Sequence, residues 1–178
     1  MRMGISTLAA AALAVALAAG AQAAAPAPYD PASDPSLSAQ ANAKFLSDNL
    51  HRRGVIHTAD GLQYRIIQNG YGKRPGGFDK VTVYYTGKLI NGKVFDATEP
   101  GLPAQFTVNK LIPGWTEALE LMREGDHWEV VLPPQLAYGD RGAGEDIPPG
   151  QALVFDLQLI KVEPPDRDHD DQDDNSGQ

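Results

Sequence analysis

Groups able to do covalent chemistry are few in this 178-residue sequence. It has no cysteine, which excludes thiolate catalysis and cysteine–metal sites. No G-x-S-x-G places a serine nucleophile beside a base. His51, His57 and His127 lack metal-ligand spacing such as H-E-x-x-H and read as surface or linker histidines. Gly139, Gly142 and Gly144 lack the Lys-Ser/Thr and the following helix of a phosphate-cradling loop. Asp96 and Asp156 are a conceivable glycosidase pair, but Asp156 alternates with Phe155 on a strand pattern and faces solvent. What the chain does carry beside its turns is aromatic and apolar: Tyr85, Phe95, Phe106, Trp115, Tyr138, Ile147 and Phe155. Such residues either fill a core or wall a dry hollow. Tyr138 lies in AYGDRGAGEDIPPG, a Gly/Pro-rich loop that cannot itself be core. Ile147 stands alone beside Pro148 and Pro149, which suggests a loop tip. These two positions favour the hollow.

The elements around them are mostly strands. LQYRII and KVTVYYTGKLI alternate apolar and polar residues, and Asn91-Gly92 reads as a hairpin turn with positive φ at both positions. KVFDAT, AQFTV, DHWEVVLPP and ALVFDLQLIKVE supply further strands, the last with Leu153, Phe155, Leu157 and Leu159 on one face. One helix interrupts them. In LIPGWTEALELM, Trp115, Ala118, Leu119 and Met122 fall at i, i+3, i+4, i+7. Glu117 suits a first turn, and Gly125 a stop. The pattern predicts an α+β fold, a curved antiparallel sheet half-wrapped around one amphipathic helix. Before the strands, Ser38 caps a short helix carrying Phe45, Leu46 and Leu50, with Gly54 as its stop, too little for a core of its own.

Both ends differ from this body. MRMGISTLAAAALAVALAAGAQA has the layout of a secretory signal peptide, residues 1–23, cleaved after Ala23. Residues 24–58 read as a Pro/Ala/Ser/Asp-rich linker, spanning 25–36, and the short helix. Residues 59–163 form the domain, and 164–178 an acidic, disordered tail without the Gly or final Glu of an EF-hand. Of the formal net charge of −8, the residues from Glu163 on contribute −6 and the leader +1, which leaves −3 for residues 24–162. A body without basic excess is a poor partner for nucleic acid. After cleavage no apolar run is long enough to span a bilayer, so the expected location is the periplasm or the medium, without stable membrane insertion.

Five stretches, VTVYYTG, GKVFDAT, LIPGWTEALELM, LAYGDRGAGEDIPPG and ALVFDLQLI, resemble the FKBP-type peptidyl-prolyl cis-trans isomerases in order and spacing. ANAKFLSDNLHRRGV followed by GLQYRII is similar to the approach to the catalytic domain in the bacterial macrophage-infectivity-potentiator-like branch, with a shortened N-terminal region. The resemblance implies a five- to six-stranded sheet curled round one helix. It implies a pocket with Trp115 as floor, and Tyr85, Phe95, Asp96, Phe106, Leu111, Ile112, Tyr138, Ile147 and Phe155 as walls and rim. Tyr85, Asp96, Ile112, Tyr138 and Phe155 are the catalytic candidates; Phe95, Phe106, Leu111, Trp115 and Ile147 are the substrate-binding ones. Ala104 and Ala143, where relatives often carry larger rings, leave the rim more open, and ATEPGLP offers Asp96 no arginine partner. The implied activity is isomerisation of X-Pro bonds in unfolded or exported polypeptides, with no cofactor and no metal. Macrolide inhibitors of the class are implied ligands. The alternative function is a non-catalytic holdase or proline-motif adaptor using the same cleft.

Overall fold

The computed structural model describes residues 30–165; the expected signal peptide and nearly all of the acidic tail lie outside them. The described chain begins with two 3-10 turns, Pro31–Ser33 and Pro35–Leu37. Asp30 and Asp34 cap them by accepting from the Ala32 and Ser36 N–H groups. Pro31 and Leu37 are buried, so this stretch packs against the body. Helix α1, Ala39–Leu50, starts where expected, with the Ser38 hydroxyl accepting from Ala41 N–H at 3.2 Å. Its fully buried residues are Asn42 and Asn49, two turns apart on one face. The helix thus docks through amides, while Phe45 and Leu46 are only half-buried and Leu50 is exposed. It ends at Leu50, short of the expected stop at Gly54.

Seven strands follow: β1 Val55–His57, β2 Gln63–Gln68, β3 Lys80–Leu89, β4 Val94–Ala97, β5 Ala104–Thr107, β6 His127–Leu132 and β7 Leu153–Glu163. They form one antiparallel sheet in the order β1-β2-β6-β7-β3-β4. β4 and β5 share the outer edge of β3, β5 along Lys80 to Val83 and β4 along Thr86 to Lys88. The sheet is therefore six strands wide although it has seven segments. β1 was missed in the sequence because three residues cannot display a period of two. The Asn91-Gly92 hairpin exists, but Gly92 N–H donates to Leu89 O, so the turn brackets Ile90 and Asn91. Gly92 follows them at φ +87, the geometry of a turn closed by a glycine bulge.

Helix α2, Pro113–Leu121, has proline at its first position, where no N–H is needed. Trp115, Ala118, Leu119 and Met122 are all buried, as the spacing predicts, and join Val81, Val83, Val130, Leu132, Phe155 and Leu157 in one core. Each fully buried Val or Leu contributes about 1.5–3 kcal/mol. Two sequence expectations fail here. The helix begins at Pro113, so its first turn holds no acid and Glu117 sits in the second. It ends at Leu121, capped by Met122, whose ψ of 166° turns the chain extended, and Gly125 at φ +95 serves the next turn instead. There Asp126 accepts from both Gly70 and Arg123 N–H groups.

Candidate active site

The sheet and the start of α2 enclose a cavity of about 240 Å³. Its floor is Trp115, in the first turn of α2, 5% exposed. Three rings meet the indole edge-on, at centroid distances of 5.1 Å for Tyr85, 5.2 Å for Phe155 and 5.8 Å for Phe106. Each ring comes from a different strand, β3, β7 and β5. Phe95 of β4 meets Phe155 in the same manner at 5.7 Å. Edge-to-face packing is the arrangement aromatic quadrupoles favour, so the four rings hold one another as well as the floor. Phe155 and Asp96 both sit opposite Gly87 on β3 and share its face, and Phe95 joins them through the register shift of β4 opposite Gly87 and Lys88.

Gly87 was not singled out in the sequence. A Cβ there would lie 2.6 Å from Phe95 Cζ and 2.8 Å from Phe155 Cε1. The two rings occupy the space its missing side chain leaves. A glycine inside an otherwise β-branched and aromatic run was the available signal.

The polar side chains of the lining are those of Tyr85, Asp96, Lys110 and Tyr138. Tyr85 O–H donates to Asp96 Oδ2 at 2.6 Å. Burial, then this hydrogen bond and the charge of Asp96, push the Tyr85 pKa upward, so the phenol stays protonated. Among the described residues Asp96 makes no ion pair. Leu111 and Ile112 line the wall, and Ile112 precedes the helix in extended conformation at ψ 149°. Its N–H finds no acceptor among the described residues. Tyr138 lines the mouth, 38% exposed, and its hydroxyl likewise has no hydrogen-bond partner there. The site thus offers two uncommitted donors on an aromatic bed.

Nine of the ten expected site residues line this cavity. Ile147 does not: it is 6% exposed and joined to Ala143 by two backbone bonds of 2.8 and 3.1 Å, so it lies behind the wall and not at a loop tip. Lys110, which the sequence gave no reason to choose, does line it, turned toward it by the 3-10 turn Val108–Lys110. Ala104 and Ala143 are not lining residues. Asp156 sits one residue from Phe155 and therefore on the opposite sheet face, where its Oδ1 lies 2.8 Å from His127 Nε2. Asp96 and Asp156 are thus separated by the sheet. Among the described residues no three His, Asp or Glu gather as a metal site, and no helix is long and apolar enough to cross a membrane.

Residues 72–160 match the sequence profile of the family described as FKBP-type peptidyl-prolyl cis-trans isomerase. Residues 7–66 match the domain described as amino-terminal to it. The chain is 50% identical over 125 residues to the FKBP-type 22 kDa peptidyl-prolyl cis-trans isomerase of Escherichia coli K12, covering 70% of this chain and 61% of that one. It is 53% identical over 119 residues to the outer membrane protein MIP of Legionella longbeachae, covering 66% and 51%. The chain therefore spans between half and three fifths of these curated relatives. A crystal structure of a peptidyl-prolyl isomerase from Pseudomonas syringae pv. tomato superposes with a TM-score of 0.67 at 37% identity, covering 73% of this chain and 97% of that one. FkpA from Escherichia coli does so with 0.66 at 39%, covering 69% and 58%.

Proposed function

The chain belongs to the FKBP-type peptidyl-prolyl cis-trans isomerase family, and from that membership we propose that it accelerates X-Pro isomerisation in unfolded polypeptides without a covalent step. The observation that carries the reading is the indole floor under an aromatic ring of walls, with an N–H and an O–H donor at its rim that have no acceptor among the described residues.

The reaction breaks no bond. Its barrier, about 18–20 kcal/mol, is mostly lost amide resonance, and uncatalysed exchange takes roughly tens to hundreds of seconds. The planar imide is charge-separated and best solvated by water. The twisted state has a less polar carbonyl and a more pyramidal nitrogen. In this proposal the aromatic walls displace water from the bound imide, which penalises the planar form more than the twisted one, a differential binding of the transition state. In this reading the prolyl ring rests on Trp115 between Tyr85, Phe106 and Phe155, with Phe95 and Leu111 closing the sides. The Ile112 N–H fixes the carbonyl of the proline or its neighbour. Tyr138 O–H donates a further bond, Asp96 holds the Tyr85 ring, and Ile147 backs the loop that carries Tyr138. Macrolide inhibitors of the class are proposed to occupy the same cavity.

We assign residues 59–163 to the isomerase domain and 24–58 to the segment leading into it. Export, with the periplasm or the medium as destination and exported chains as clients, is proposed from the leader-like composition of residues 1–23 and from similarity to a protein named for the outer membrane. The test is cis-to-trans isomerisation of a proline tetrapeptide beside proline-limited refolding. Acceleration of both, lost in a folded Phe155→Ala protein, is expected. Suppressed aggregation of a client without any acceleration would replace the isomerase by a holdase.

A further inference from the structure

We propose that Asn42 of α1, acting through Gln151, is a positioning residue for the cavity: it anchors the loop 139–150 and so sets where Tyr138 stands. The proposal rests on the isomerase reading above and extends it to the N-terminal segment.

Gln151, 5% exposed, is the residue at which the loop re-enters the body. Its Nε2 donates to Pro149 O at 3.1 Å and to Leu37 O at 3.0 Å. Its Oε1 accepts from Asn42 Nδ2 at 3.1 Å. Asn42, 3% exposed, closes the circuit, with its Oδ1 accepting from Ala152 N–H at 2.8 Å. The loop itself is stiff. Ala143 and Ile147 exchange two backbone bonds, and a Cβ on Gly142 would lie only 2.2 Å from Ile147 O. Its stem is pinned where Gly150 N–H donates to Gly139 O at 2.9 Å, and Gly139 directly follows Tyr138. A stiff loop on a narrow stem moves as one piece, so whatever fixes residues 149–152 fixes Tyr138. A buried amide pair suits that task. Its donors and acceptors are satisfied in one geometry only, whereas an apolar contact tolerates sliding. A second tie supports the same brace: Asn91 Nδ2 donates to Asp34 Oδ2 at 2.9 Å, and Lys93 lies 3.6 Å from Asp146 of the loop. The N-terminal segment thus reaches both the β3–β4 hairpin and the mouth loop.

The same helix supplies a matched control. Asn49 Nδ2 donates to Gln63 Oε1 at 2.8 Å, the same kind of buried bond, but to β2, which bears no cavity residue. Asn42→Ala and Asn49→Ala are compared in the full chain by thermal midpoint, tetrapeptide kinetics and amide exchange. Both are expected to lower the midpoint. Only Asn42→Ala is expected to speed exchange of the Ile147 and Gly150 amides by about tenfold or more, and to lower kcat/KM about tenfold through KM, the signature of lost binding geometry. Asn49→Ala keeps loop exchange and KM within about twofold of the parent. If Asn42→Ala does not fold, Gln151→Met, which keeps the volume and removes the amide, takes its place. Identical behaviour of the two variants, or an unmoved loop in Asn42→Ala, would overturn the proposal. A parent chain inactive on the tetrapeptide would refute the isomerase reading instead, and the exchange data would still report whether the brace exists.

Discussion

Replacing Gly87 by alanine isolates the packing of the cavity wall from every hydrogen-bonding group in it. The residue lies inside β3 and its φ is not in the left-handed region, so alanine fits the backbone without strain. The cost is steric. The new Cβ would stand 2.6–2.8 Å from three ring atoms of Phe95 and Phe155, against an ordinary contact of 3.4 Å or more. The rings must therefore retreat by about 0.6–0.8 Å at least, the difference between those distances. Overpacking of this kind costs about 1–3 kcal/mol, and a strand glycine replaced by alanine recovers roughly 0.5–1. The net destabilisation is about 0–2.5 kcal/mol, within what a domain of this size survives. Activity suffers more than stability. Phe155 packs at 5.2 Å on Trp115, so its displacement moves the wall over the floor. A misplacement approaching 1 Å can cost up to about a hundredfold in rate. A fall in tetrapeptide kcat/KM between about tenfold and a hundredfold is expected, with a change in indole emission. A folded Gly87→Ala protein with parental kcat/KM and parental emission would refute the idea that these rings set the cavity's shape.

Other perturbations separate the polar roles. Asp96→Ala and Tyr85→Phe are each expected to lower kcat/KM by about tenfold, roughly 1.4 kcal/mol. If Asp96 acts by holding the Tyr85 ring through their 2.6 Å bond, the double variant is no worse than either single one; additive losses would mean that Asp96 meets the substrate carbonyl itself. Glu117 gives a pH test of the fold. Burial, then the neighbouring Asp60, raise its pKa in the folded chain. A raised folded pKa favours the protonated form, so its stabilising contribution is complete below the unfolded value of 4.5 and is lost as pH rises through the folded one. Glu117→Gln should therefore unfold at a higher temperature than the parent at pH 7, with the difference vanishing below about pH 4. An equal difference at both pH values would show that the charge of Glu117 is not what matters.

The core faces of β7 and α2 are legible in the sequence because their periods are clean: Leu153, Phe155, Leu157 and Leu159 fall on one face, as do Trp115, Ala118, Leu119 and Met122, whereas the site rings on β3, β4 and β5 were assigned through the family resemblance. What could not be read was anything set by backbone rotation or by polar burial. Ile147 looked exposed because Pro148 and Pro149 follow it, yet its backbone pairing with Ala143 folds it inward. Lys110 is brought to the wall by a single 3-10 turn, which leaves no periodic trace. α1 shows apolar spacing at Phe45, Leu46 and Leu50, but it is Asn42 and Asn49 that are sealed against the body. A buried amide looks like surface in any hydrophobic pattern, and only its partners, Gln151 and Gln63, reveal it. Glu117 and Gly125 were misplaced for a related reason: where a helix starts and stops depends on the φ and ψ of one residue at each end, here Ile112 and Met122, and not on composition.

The floor of the cavity is also the roof of the core. Trp115 and Phe155 belong to the same buried cluster as Leu119, Val130 and Leu157, and they also line the cavity. The proposed reaction uses apolar walls and a few hydrogen-bond donors, and the groups that stabilise the fold supply those walls. A covalent enzyme must instead hold a nucleophile and base whose desolvation works against stability. One consequence is that truncating a ring here lowers stability and rate together, and neither effect identifies the mechanism alone. The discriminating positions are those where the two part company. The Ile112 N–H and the Tyr138 O–H make no bond within the described fold, so losing them costs the fold nothing, while each is free to meet a bound carbonyl. Gly87 and Asn42 stand at the intermediate case, where shape is altered but the donors stay, so they report on the cavity's geometry apart from its hydrogen bonds.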